Sequence, residues 1–271
     1  MSLVTVVILT AAAFSFVAWV ASLLTADYSW VDRLWSVVPV VYVAEIAGYA
    51  HFSNARLDLM AIVVLVWGAR LTFNLARKGG YTGLEDYRWA VLRERMNAWQ
   101  FQVFNFFFIV IYQNVILVLI TLPALTAYQH RHSAFTALDA ILAAVFLACT
   151  LGETVADNQQ WQFQSWKVRE REEGRTPEPQ FLQSGLFRFS RHPNYFFEVA
   201  QWWMLFFMGA SAAASLIQWT IVGAVLLTLL FVGSTRFTEE ITLSRYPEYA
   251  EYQRRTSAVV PWSTREQRPA R

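Results

Sequence analysis

The chain has 271 residues, of which 56% are apolar and 15% are charged, and its formal net charge is +2. Soluble domains usually carry about 25% charged residues, so this composition excludes an ordinary soluble domain, and no nucleic-acid partner is expected. The long apolar stretches 4–24, 59–67, 103–125 and 137–151 contain a single acidic residue, Asp139, and no lysine or arginine. A run of roughly 20 apolar residues crosses a bilayer core, so the sequence predicts an integral membrane protein.

The apolar runs show no β-type alternation, so they are predicted to be helices and the fold class is all-α. One polytopic domain covering residues 1–271 is expected, because no repeat or linker interrupts the chain. The first run lacks a basic leader and a cleavage site, which predicts a retained helix rather than a signal peptide. Seven transmembrane helices are predicted at about residues 3–25, 34–52, 57–77, 101–127, 136–163, 194–211 and 214–236.

Basic residues predict the orientation of these helices. All but Arg56 and Arg131 of the 22 lysines and arginines fall in segments that seven spans place on one face. The positive-inside rule assigns that face to the cytoplasm. The N-terminus is therefore expected outside and the C-terminus in the cytoplasm, in a bacterial inner membrane. The oligomeric state is left open. Cys149 and the loop histidines lack zinc-binding spacing, so no metal is expected.

Polar side chains recur at helical spacing in three of the predicted helices. Such residues are costly in a membrane and usually face a functional interior, although interhelical hydrogen bonding is an alternative. Three stripes at one depth, beside arginine-rich loops, favour a water-filled pocket open to the cytoplasm. The stripes are Glu153, Asp157, Gln160 and Gln164; Arg70, Asn74 and Lys78; and Asn194, Glu198 and Gln201.

The segment SRHPNYFFEVAQWW, residues 190–203, places basic residues and a proline before an apolar helix. Proline is favoured in the first turn of a helix, and the N–H groups of that turn attract anions. We interpret the segment as the site of an anionic cofactor. Its phosphates would meet Arg191 and His192, and its sugar or base would meet Asn194 and Glu198. A basic juxtamembrane anchor is the alternative, and it explains Arg191 alone.

The region after the last predicted span adds two features. Arg236 is predicted to close the seventh helix, and the pair Glu239 and Glu240 is interpreted as holding an adenosine hydroxyl or pairing with Arg236. The stretch SRYPEYAEYQRR is amphipathic and is also interpreted as an interfacial helix on anionic lipid, so membrane lipid is an expected partner. Its aromatic face consists of Tyr246, Tyr249 and Tyr252.

The C-terminal part of the chain resembles the steroid 5α-reductase family, in its bacterial branch of membrane proteins. The resemblance rests on GLFRFSRHPNYFFEVAQWW, TRFTEE and RYPEYAEYQRR, within roughly residues 153–262. Weaker likeness continues upstream in WVDRLWS, WGARLTFNLARKGG and EDYRW. RHPNY also occurs in sterol C14-type reductases. A close variant occurs in isoprenylcysteine carboxyl methyltransferases, which bind S-adenosylmethionine.

The resemblance implies a seven-helix enzyme that holds NADPH in a cavity open to the cytoplasm. It implies reduction of the carbon–carbon double bond of a lipophilic enone, such as a 3-oxo-Δ4-steroid, that enters from the bilayer. The exact substrate and the preference for NADPH over NADH stay open. Arginines of the 77–95 and 167–191 loops are expected on the phosphates. The expected cofactor-binding residues are Arg70, Asn74, Lys78, Arg88, Asp157, Gln160, Gln164, Lys167, Arg191, His192, Asn194, Tyr195, Glu198, Arg236, Glu240, Tyr246 and Tyr249.

The catalytic set of the family matches this chain only in part. The Gln-Glu pair of the family falls on Val31 and Asp32, and its tyrosine falls on Trp67, so only the carboxylate is kept. Burial would raise the pKa of Asp32 and let it donate to a substrate carbonyl; a surface ion pair with Arg33 is the alternative. The catalytic candidates are Asp32, Trp35, Trp67 and Tyr87, with Tyr28 as a further donor to test.

Two other functions are compatible with these motifs. A membrane methyltransferase that uses S-adenosylmethionine shares RHPNY and the Glu-Glu pair, but usually has fewer helices before them. The large upstream half, with its own basic loop, favours the bulkier dinucleotide. A transporter or lipid-binding protein gives no reason for three polar stripes near one helix N-terminus, and no inverted repeat is visible.

Overall fold

A computed structural model of the protein describes residues 1–262, and their regular secondary structure is helical, with no β-strand among them. The α-helices are α1 (Leu3–Thr25), α2 (Trp30–Trp35), α3 (Val38–Tyr49), α4 (Ala55–Arg77), α5 (Tyr87–Arg95), α6 (Ala98–Phe104), α7 (Gln113–Gln129), α8 (Ala137–Glu172), α9 (Pro193–Ala212), α10 (Ile221–Arg245) and α11 (Tyr249–Arg255). A π-helical segment, Asn105–Tyr112, joins α6 to α7. A 3₁₀ turn, Gly185–Arg188, precedes α9.

Five helices in the described residues are long and apolar enough to cross a membrane, which agrees with an integral membrane protein. They are α1, α4, the continuous helix Ala98–Gln129, α8 and α10. At the two other predicted spans, α3 has only 12 residues. Helix α9 has 20 residues, but Asn194, Glu198 and Gln201 lower its mean hydropathy. Seven spans and their orientation stay predictions, and Arg265, Arg268 and Arg271 of the basic tail lie outside the described residues.

The last long helix corrects a predicted boundary. Helix α10 extends over Ile221–Arg245 instead of 214–236, so Arg236 lies inside it and does not close it. The helix begins later because Ala214 adopts a left-handed backbone conformation, with φ of 50°. It continues to Arg245 because no proline or glycine follows Arg236 until Pro247, which disfavours helical backbone in the residue before it.

Residues 1–147 and 202–227 form one compact unit. In this unit α3 packs against α1, α4 and α7. Gly68 lets α4 approach the start of α3 closely, since a Cβ at this position would lie 2.5 Å from the carbonyl oxygen of Ser36. Trp67, next to it, is fully buried, and its ring meets that of Trp202 edge-on at 4.8 Å.

A buried ion pair links the start of α4 to the start of α8 in this unit. Arg56 donates from Nε and Nη2 to the two carboxylate oxygens of Asp139, at 2.8 and 2.9 Å. It also donates to Ser133 Oγ at 2.7 Å and to the Ala134 carbonyl at 2.6 Å. This ion pair explains why Asp139 lies in an otherwise uncharged apolar stretch and why Arg56 lies outside the basic face.

Residues 148–201 and 228–271 form a second compact unit, described up to residue 262. It contains the later part of α8, the first turns of α9, the end of α10, and α11. Helices α8 and α9 approach closely at Gly152, where a Cβ would lie 2.5 Å from the ring of Phe197. This approach brings polar side chains of the two helices within hydrogen-bonding distance.

Candidate functional site

Asp32, the predicted catalytic acid, lies in α2 and is held by side chains of the first unit. The indole Nε1 of Trp89 donates to Asp32 Oδ2 at 3.0 Å, and the Ser29 side chain forms a second hydrogen bond to the carboxylate. Asp32 is half-buried, whereas Trp89 and Ser29 are buried. The carboxyl group is therefore held in a fixed orientation by neighbours that do not carry charge.

The surroundings of Asp32 favour its protonated form. Burial among protein atoms, and then repulsion from the Asp86 carboxylate, raises the pKa of Asp32 to about 6 from a usual value of 3.8. The positive charge of Arg88 opposes this rise, as do the hydrogen bonds from Trp89 and Ser29. A carboxyl with a raised pKa keeps its proton to a higher pH than an ordinary aspartate, and only the protonated form can donate to a carbonyl.

Arg33, the neighbour that was considered as an ion-pair partner of Asp32, is engaged elsewhere. Its Nη2 donates to Asp27 Oδ2 at 2.5 Å and its Nε donates to the Gly80 carbonyl at 2.6 Å. Its guanidinium also lies over the Trp30 ring, 5.0 Å from the centroid. The alternative of a surface pair between Asp32 and Arg33 is therefore wrong, because Arg33 is buried and satisfied by Asp27.

The other catalytic candidates occupy three different environments. Trp35 packs at the edge of an apolar cluster that includes Tyr28 and Trp89. Tyr87, the first residue of α5, is 45% exposed. Trp67 is fully buried against Trp202 in the core. The structure thus brings Trp35 and Tyr28 into the neighbourhood of Trp89, and gives Trp67 a packing environment.

Tyr28 was considered only as a further donor, but its side chain is buried and held by two polar neighbours, Gln102 and Arg93. The residue is buried, and its phenolic oxygen accepts a hydrogen bond from Gln102 Nε2 at 2.9 Å. The guanidinium of Arg93 lies 5.3 Å from the centroid of its ring. Gln102 was not singled out from the sequence, because its contact with Tyr28 spans 74 residues.

The predicted cofactor residues of the first unit lie at the end of α4 and the start of α5. Asn74 is buried and accepts hydrogen bonds from Arg77 at 2.7 and 3.0 Å. Lys78 caps the C-terminus of α4, and Arg70 is half-buried two turns before it. Arg88 pairs with Asp86, with Nη2 and Oδ2 separated by 2.7 Å. The role of these residues in cofactor binding stays a prediction.

A buried amide joins two carboxylates in the second unit. Gln201 Nε2 donates to Glu198 Oε2 at 2.8 Å and to Glu153 Oε2 at 2.9 Å, and its Oε1 accepts from Thr150 Oγ1 at 2.8 Å. All four side chains are buried. The polar stripes of the fifth and sixth predicted helices therefore meet through interhelical hydrogen bonds, and a water-filled pocket beside them stays a prediction. Thr150 is a member that the sequence analysis missed.

The rest of the α8 stripe becomes more exposed toward its end. Asp157 is buried, Gln160 is half-buried and Gln164 is exposed. The neighbouring Gln159, which is not a member of the predicted stripe, accepts a hydrogen bond from the Leu186 amide at 2.9 Å. One helical face is thus polar in sequence, but only its first half is enclosed by protein.

Glu239 binds both basic side chains of the RHP segment through its carboxylate. Arg191 donates to its two carboxylate oxygens at 2.6 and 2.9 Å, and His192 Nε2 lies 3.1 Å from Oε1. Gln253 Nε2 donates to Oε2 at 2.9 Å, and the Tyr249 hydroxyl donates to Oε1 at 3.3 Å. The partners of Glu239 are thus Arg191, His192, Gln253 and Tyr249. Contact of the Glu239 and Glu240 pair with an adenosine hydroxyl or with Arg236 stays a prediction.

The same segment also binds the C-terminal part of the chain. Arg191 Nη1 donates to the carbonyls of Gln253 and Thr256. The amides of Arg191 and His192 donate to the carbonyls of Ser257 and Ala258, at 2.8 and 3.0 Å. A phosphate role for Arg191 or His192 stays a prediction, and it requires these side chains to share or exchange contacts that hold the C-terminal segment.

The three tyrosines near the C-terminus form an aromatic cluster with Phe181, in which Tyr249 and Tyr252 are buried. The Phe181 ring lies 4.9 Å from that of Tyr249, 5.7 Å from that of Tyr252 and 6.4 Å from that of Tyr246. Burial raises the pKa of Tyr249 and of Tyr252, so both phenols stay protonated. Tyr249 and Tyr252 thus pack inside the protein and Tyr246 is half-buried, while contact of this stretch with anionic lipid stays a prediction.

Lys167 is enclosed beside this cluster. The side chain is buried. Its ammonium donates to the Gln180 carbonyl and lies 3.5 Å from the Tyr246 hydroxyl. Two aromatic rings also surround it, at 5.1 Å for Tyr246 and 5.7 Å for Phe163. Its charge is thus stabilised by one carbonyl and two ring faces.

The remaining candidates lie at the start of α9 and along α10. Tyr195 stacks on His192 at 5.0 Å, and Asn194 is half-buried beside it. Arg236 and Glu240 are on an exposed face of α10. On another face of this helix, the hydroxyls of Thr235 and Thr238 are buried and have no hydrogen-bond partner within residues 1–262. The sequence analysis missed both threonines.

Comparisons with known proteins place this arrangement in a family. The family described as "Protein of unknown function (DUF1295)" matches residues 18–256, a range that contains both Asp32 and Glu239. An uncharacterized protein of Schizosaccharomyces pombe, C594.04c, is 36% identical over 261 residues, covering 90% of this chain and 76% of the relative. No solved structure matches the chain. Within residues 1–262, no group of three His, Cys, Asp or Glu side chains is arranged to hold a metal ion.

Proposed function

The chain belongs to DUF1295, a family of membrane proteins of unknown function, and within it we propose that this protein is an NADPH-dependent reductase. The proposed reaction reduces the carbon–carbon double bond of a lipophilic enone, of which a 3-oxo-Δ4-steroid is an example. The proposal joins the resemblance of the C-terminal motifs to steroid 5α-reductases with the environment of Asp32.

The observation that carries the proposal is a half-buried carboxyl group that a buried indole N–H holds in one orientation. The pKa of Asp32 is raised to about 6, first by burial and then by Asp86, and Trp89 fixes its orientation from 3.0 Å. A protonated carboxyl donates a hydrogen bond, whereas a carboxylate only accepts one. An ordinary surface aspartate, with a pKa near 3.8, would lack this ability.

In the proposed reaction the protein stabilises charge on the substrate and moves one proton. When bound, NADPH supplies a hydride to the β-carbon of the enone. Asp32 donates to the carbonyl oxygen, where negative charge develops, and a preorganised donor at this position contributes about 2.7–4 kcal/mol in comparable sites. The α-carbon takes a proton from water or from the acid. The balance is enone, NADPH and one proton on one side, and saturated ketone and NADP⁺ on the other.

The side chains of the second unit have the chemistry that a dinucleotide requires. Buried oxygens of Glu153 and Glu198 suit the amide and hydroxyl donors of NADPH. The buried Thr235 and Thr238 hydroxyls, which have no partner within the described residues, suit ribose or phosphate oxygens. Arg191 and His192 are proposed for the phosphates, and the exposed Arg236 is a further candidate for a phosphate.

The membrane context of the proposal follows from composition. The five long apolar helices give a lipophilic substrate access from the bilayer without passing through water. We further propose seven spans, with the N-terminus outside and the C-terminus in the cytoplasm, in a bacterial inner membrane. The basic segments of the sequence support this orientation.

Two measurements test the proposal. Nucleotides extracted from the purified, denatured protein should include NADPH or NADP⁺; recovery of S-adenosylmethionine or its demethylated product would favour the methyltransferase and overturn the reductase.

With a 3-oxo-Δ4-steroid, NADPH absorbance should fall in the presence of wild type. Asp32→Asn should bind NADPH normally but turn over at least about tenfold more slowly, about 1.4 kcal/mol. Glu94→Gln, an exposed carboxylate on α5, is the matched control and should behave as wild type.

A further inference from the structure

The segment that carries Trp89 is tied to the segment that carries Asp32 at several points. The Tyr28 amide donates to Glu85 Oε1 at 3.0 Å, and the Asp86 amide donates to Ser29 Oγ at 2.8 Å. Upstream, the Gly80 carbonyl accepts from Arg33 at 2.6 Å. These bonds join residues that are 47 to 57 positions apart in the chain, so they fix the start of α5 against α2.

Trp89 is well placed to orient Asp32 because its own ring is immobilised. The side chain is buried and packs in the apolar cluster with Val31, Tyr28 and Phe101. The start of α5 is set by Asp86, which accepts from the Arg88 amide at 2.9 Å as an N-cap. An indole N–H held this rigidly selects one carboxylate oxygen, Oδ2, and fixes the orientation of the Asp32 side chain.

We propose that Trp89 and Asp86 are an opposed pair of positioning residues that set the protonation of Asp32. The indole N–H of Trp89 favours the carboxylate form, to which it donates. Asp86 is held at the start of α2 by the hydrogen bond from its amide to Ser29 Oγ, three residues before Asp32, and its negative charge favours the protonated form. Neither residue is assigned a contact with substrate. The consequence for catalysis rests on the proposed function, but the effect on Asp32 itself does not.

The other charges around Asp32 are few, which makes the two contributions separable. Arg88 favours the carboxylate but is paired with Asp86 at 2.7 Å, so its effect is partly cancelled. On the α2 side, Arg33 is neutralised by Asp27 at 2.5 Å. Helices α1 and α7, which also pack against α2, contain no charged residue.

Two further charged groups of neighbouring elements have hydrogen-bond or ion-pair partners of their own. Glu45, the charged residue of α3, accepts from Thr10 at 2.7 Å. Glu85 pairs with Arg93 at 2.5 Å. Neither contributes to the rise of the pKa of Asp32, which is caused by burial and Asp86. Glu85 is therefore a matched control: it is a carboxylate in the same segment as Asp86.

The test compares three variants by infrared titration of the purified, cofactor-free protein. The carbonyl band of a protonated carboxyl that titrates near pH 6, and is absent in Asp32→Asn, reports Asp32 directly. Trp89→Phe keeps an aromatic ring but removes the donor, so its midpoint should move upward by about 1 pH unit. Asp86→Asn keeps the cap of α5 but removes the charge, so its midpoint should move downward by about 1 pH unit. Glu85→Gln should leave the midpoint unchanged.

The outcomes distinguish this proposal from the proposed function. Unchanged midpoints in Trp89→Phe and Asp86→Asn, movement of both in one direction, or an equal shift in Glu85→Gln would overturn the positioning role. Opposite shifts without any reductase activity would sustain the positioning role and sink the proposed function. With an active enzyme, the alkaline limb of the kcat profile should move with the infrared midpoint in each variant, since the protonated form is the donor.

Discussion

Replacing Asp32 by asparagine should stabilise the protein at neutral pH and not at acidic pH. The folded protein holds the Asp32 proton up to a pKa of about 6, whereas the unfolded chain releases it near 3.8. Between these values the folded state binds more protons than the unfolded state, so wild-type stability falls as the pH rises. Asparagine does not titrate, and it still offers an oxygen to Trp89.

The magnitude follows from the difference of about two pKa units. Each unit corresponds to about 1.36 kcal/mol, which gives an upper value of about 3 kcal/mol. Asp32 is half-buried, so solvent screening reduces the expected gain to about 1–2 kcal/mol. For a chain of this size, 1 kcal/mol shifts Tm by roughly 2–4 °C. Asp32→Asn should therefore unfold roughly 2–8 °C higher than wild type at pH 7.5.

Thermal unfolding in detergent, followed by intrinsic fluorescence between pH 4 and 8, measures this difference. The Tm values of the two proteins should converge near pH 4 and separate as the pH approaches 7. Glu94→Gln, an exposed carboxylate, should follow wild type throughout. A difference that does not depend on pH, or a variant less stable than wild type at pH 7.5, would refute the reasoning about the environment of Asp32.

Three further predictions concern other parts of the molecule. Arg56→Met should destabilise the protein by about 3–5 kcal/mol in thermal unfolding, because it leaves the buried Asp139 unpaired, and adding Asp139→Leu should restore most of the loss. Glu239→Gln should speed limited proteolysis within residues 246–262, because Arg191 loses its bidentate partner, whereas Glu240→Gln should not. Thr235→Val and Thr238→Val should each weaken NADPH binding by roughly 2- to 12-fold without lowering Tm, since each removes a hydroxyl with no partner in residues 1–262.

Each of these three predictions has a result that would contradict it. A double variant as unstable as Arg56→Met alone would show that the ion pair is not the source of the loss. Equal proteolysis of the two glutamine variants would remove Glu239 from its role as the anchor of the C-terminal segment. Valine variants that bind NADPH normally in an equilibrium titration would leave the two threonine hydroxyls without a ligand role.

Local features of the structure were predictable because they depend on short-range spacing. The four-residue separation of Glu153 and Asp157 predicted that both lie on one face of a helix, and in α8 both are buried. Gln164, at the end of the predicted stripe, is exposed. Helical spacing predicts which side chains share a face, but not how far along that face the protein encloses them.

Long-range pairings were the features that the sequence analysis missed. Glu239 binds Arg191 across 48 residues, and Trp89 binds Asp32 across 57 residues. No spacing rule connects positions so far apart, so Arg191 was predicted as a phosphate ligand and Asp32 as a candidate partner of Arg33. The unusual positions of Arg56 and Asp139 were visible in the sequence, but their pairing depends on how α4 and α8 pack.

Transfer of deuterium from the nicotinamide C4 of labelled NADPH to an enone tests the central claim most directly. Wild-type protein in lipid nanodiscs, supplied with each of the two C4-deuterated forms of NADPH and a 3-oxo-Δ4-steroid, should give a saturated ketone that carries one deuterium at the β-carbon from one form only. Asp32→Asn should form this product at least about tenfold more slowly. Absence of deuterated product with both forms, in protein that is folded and binds NADPH, would contradict the proposed reduction of this enone.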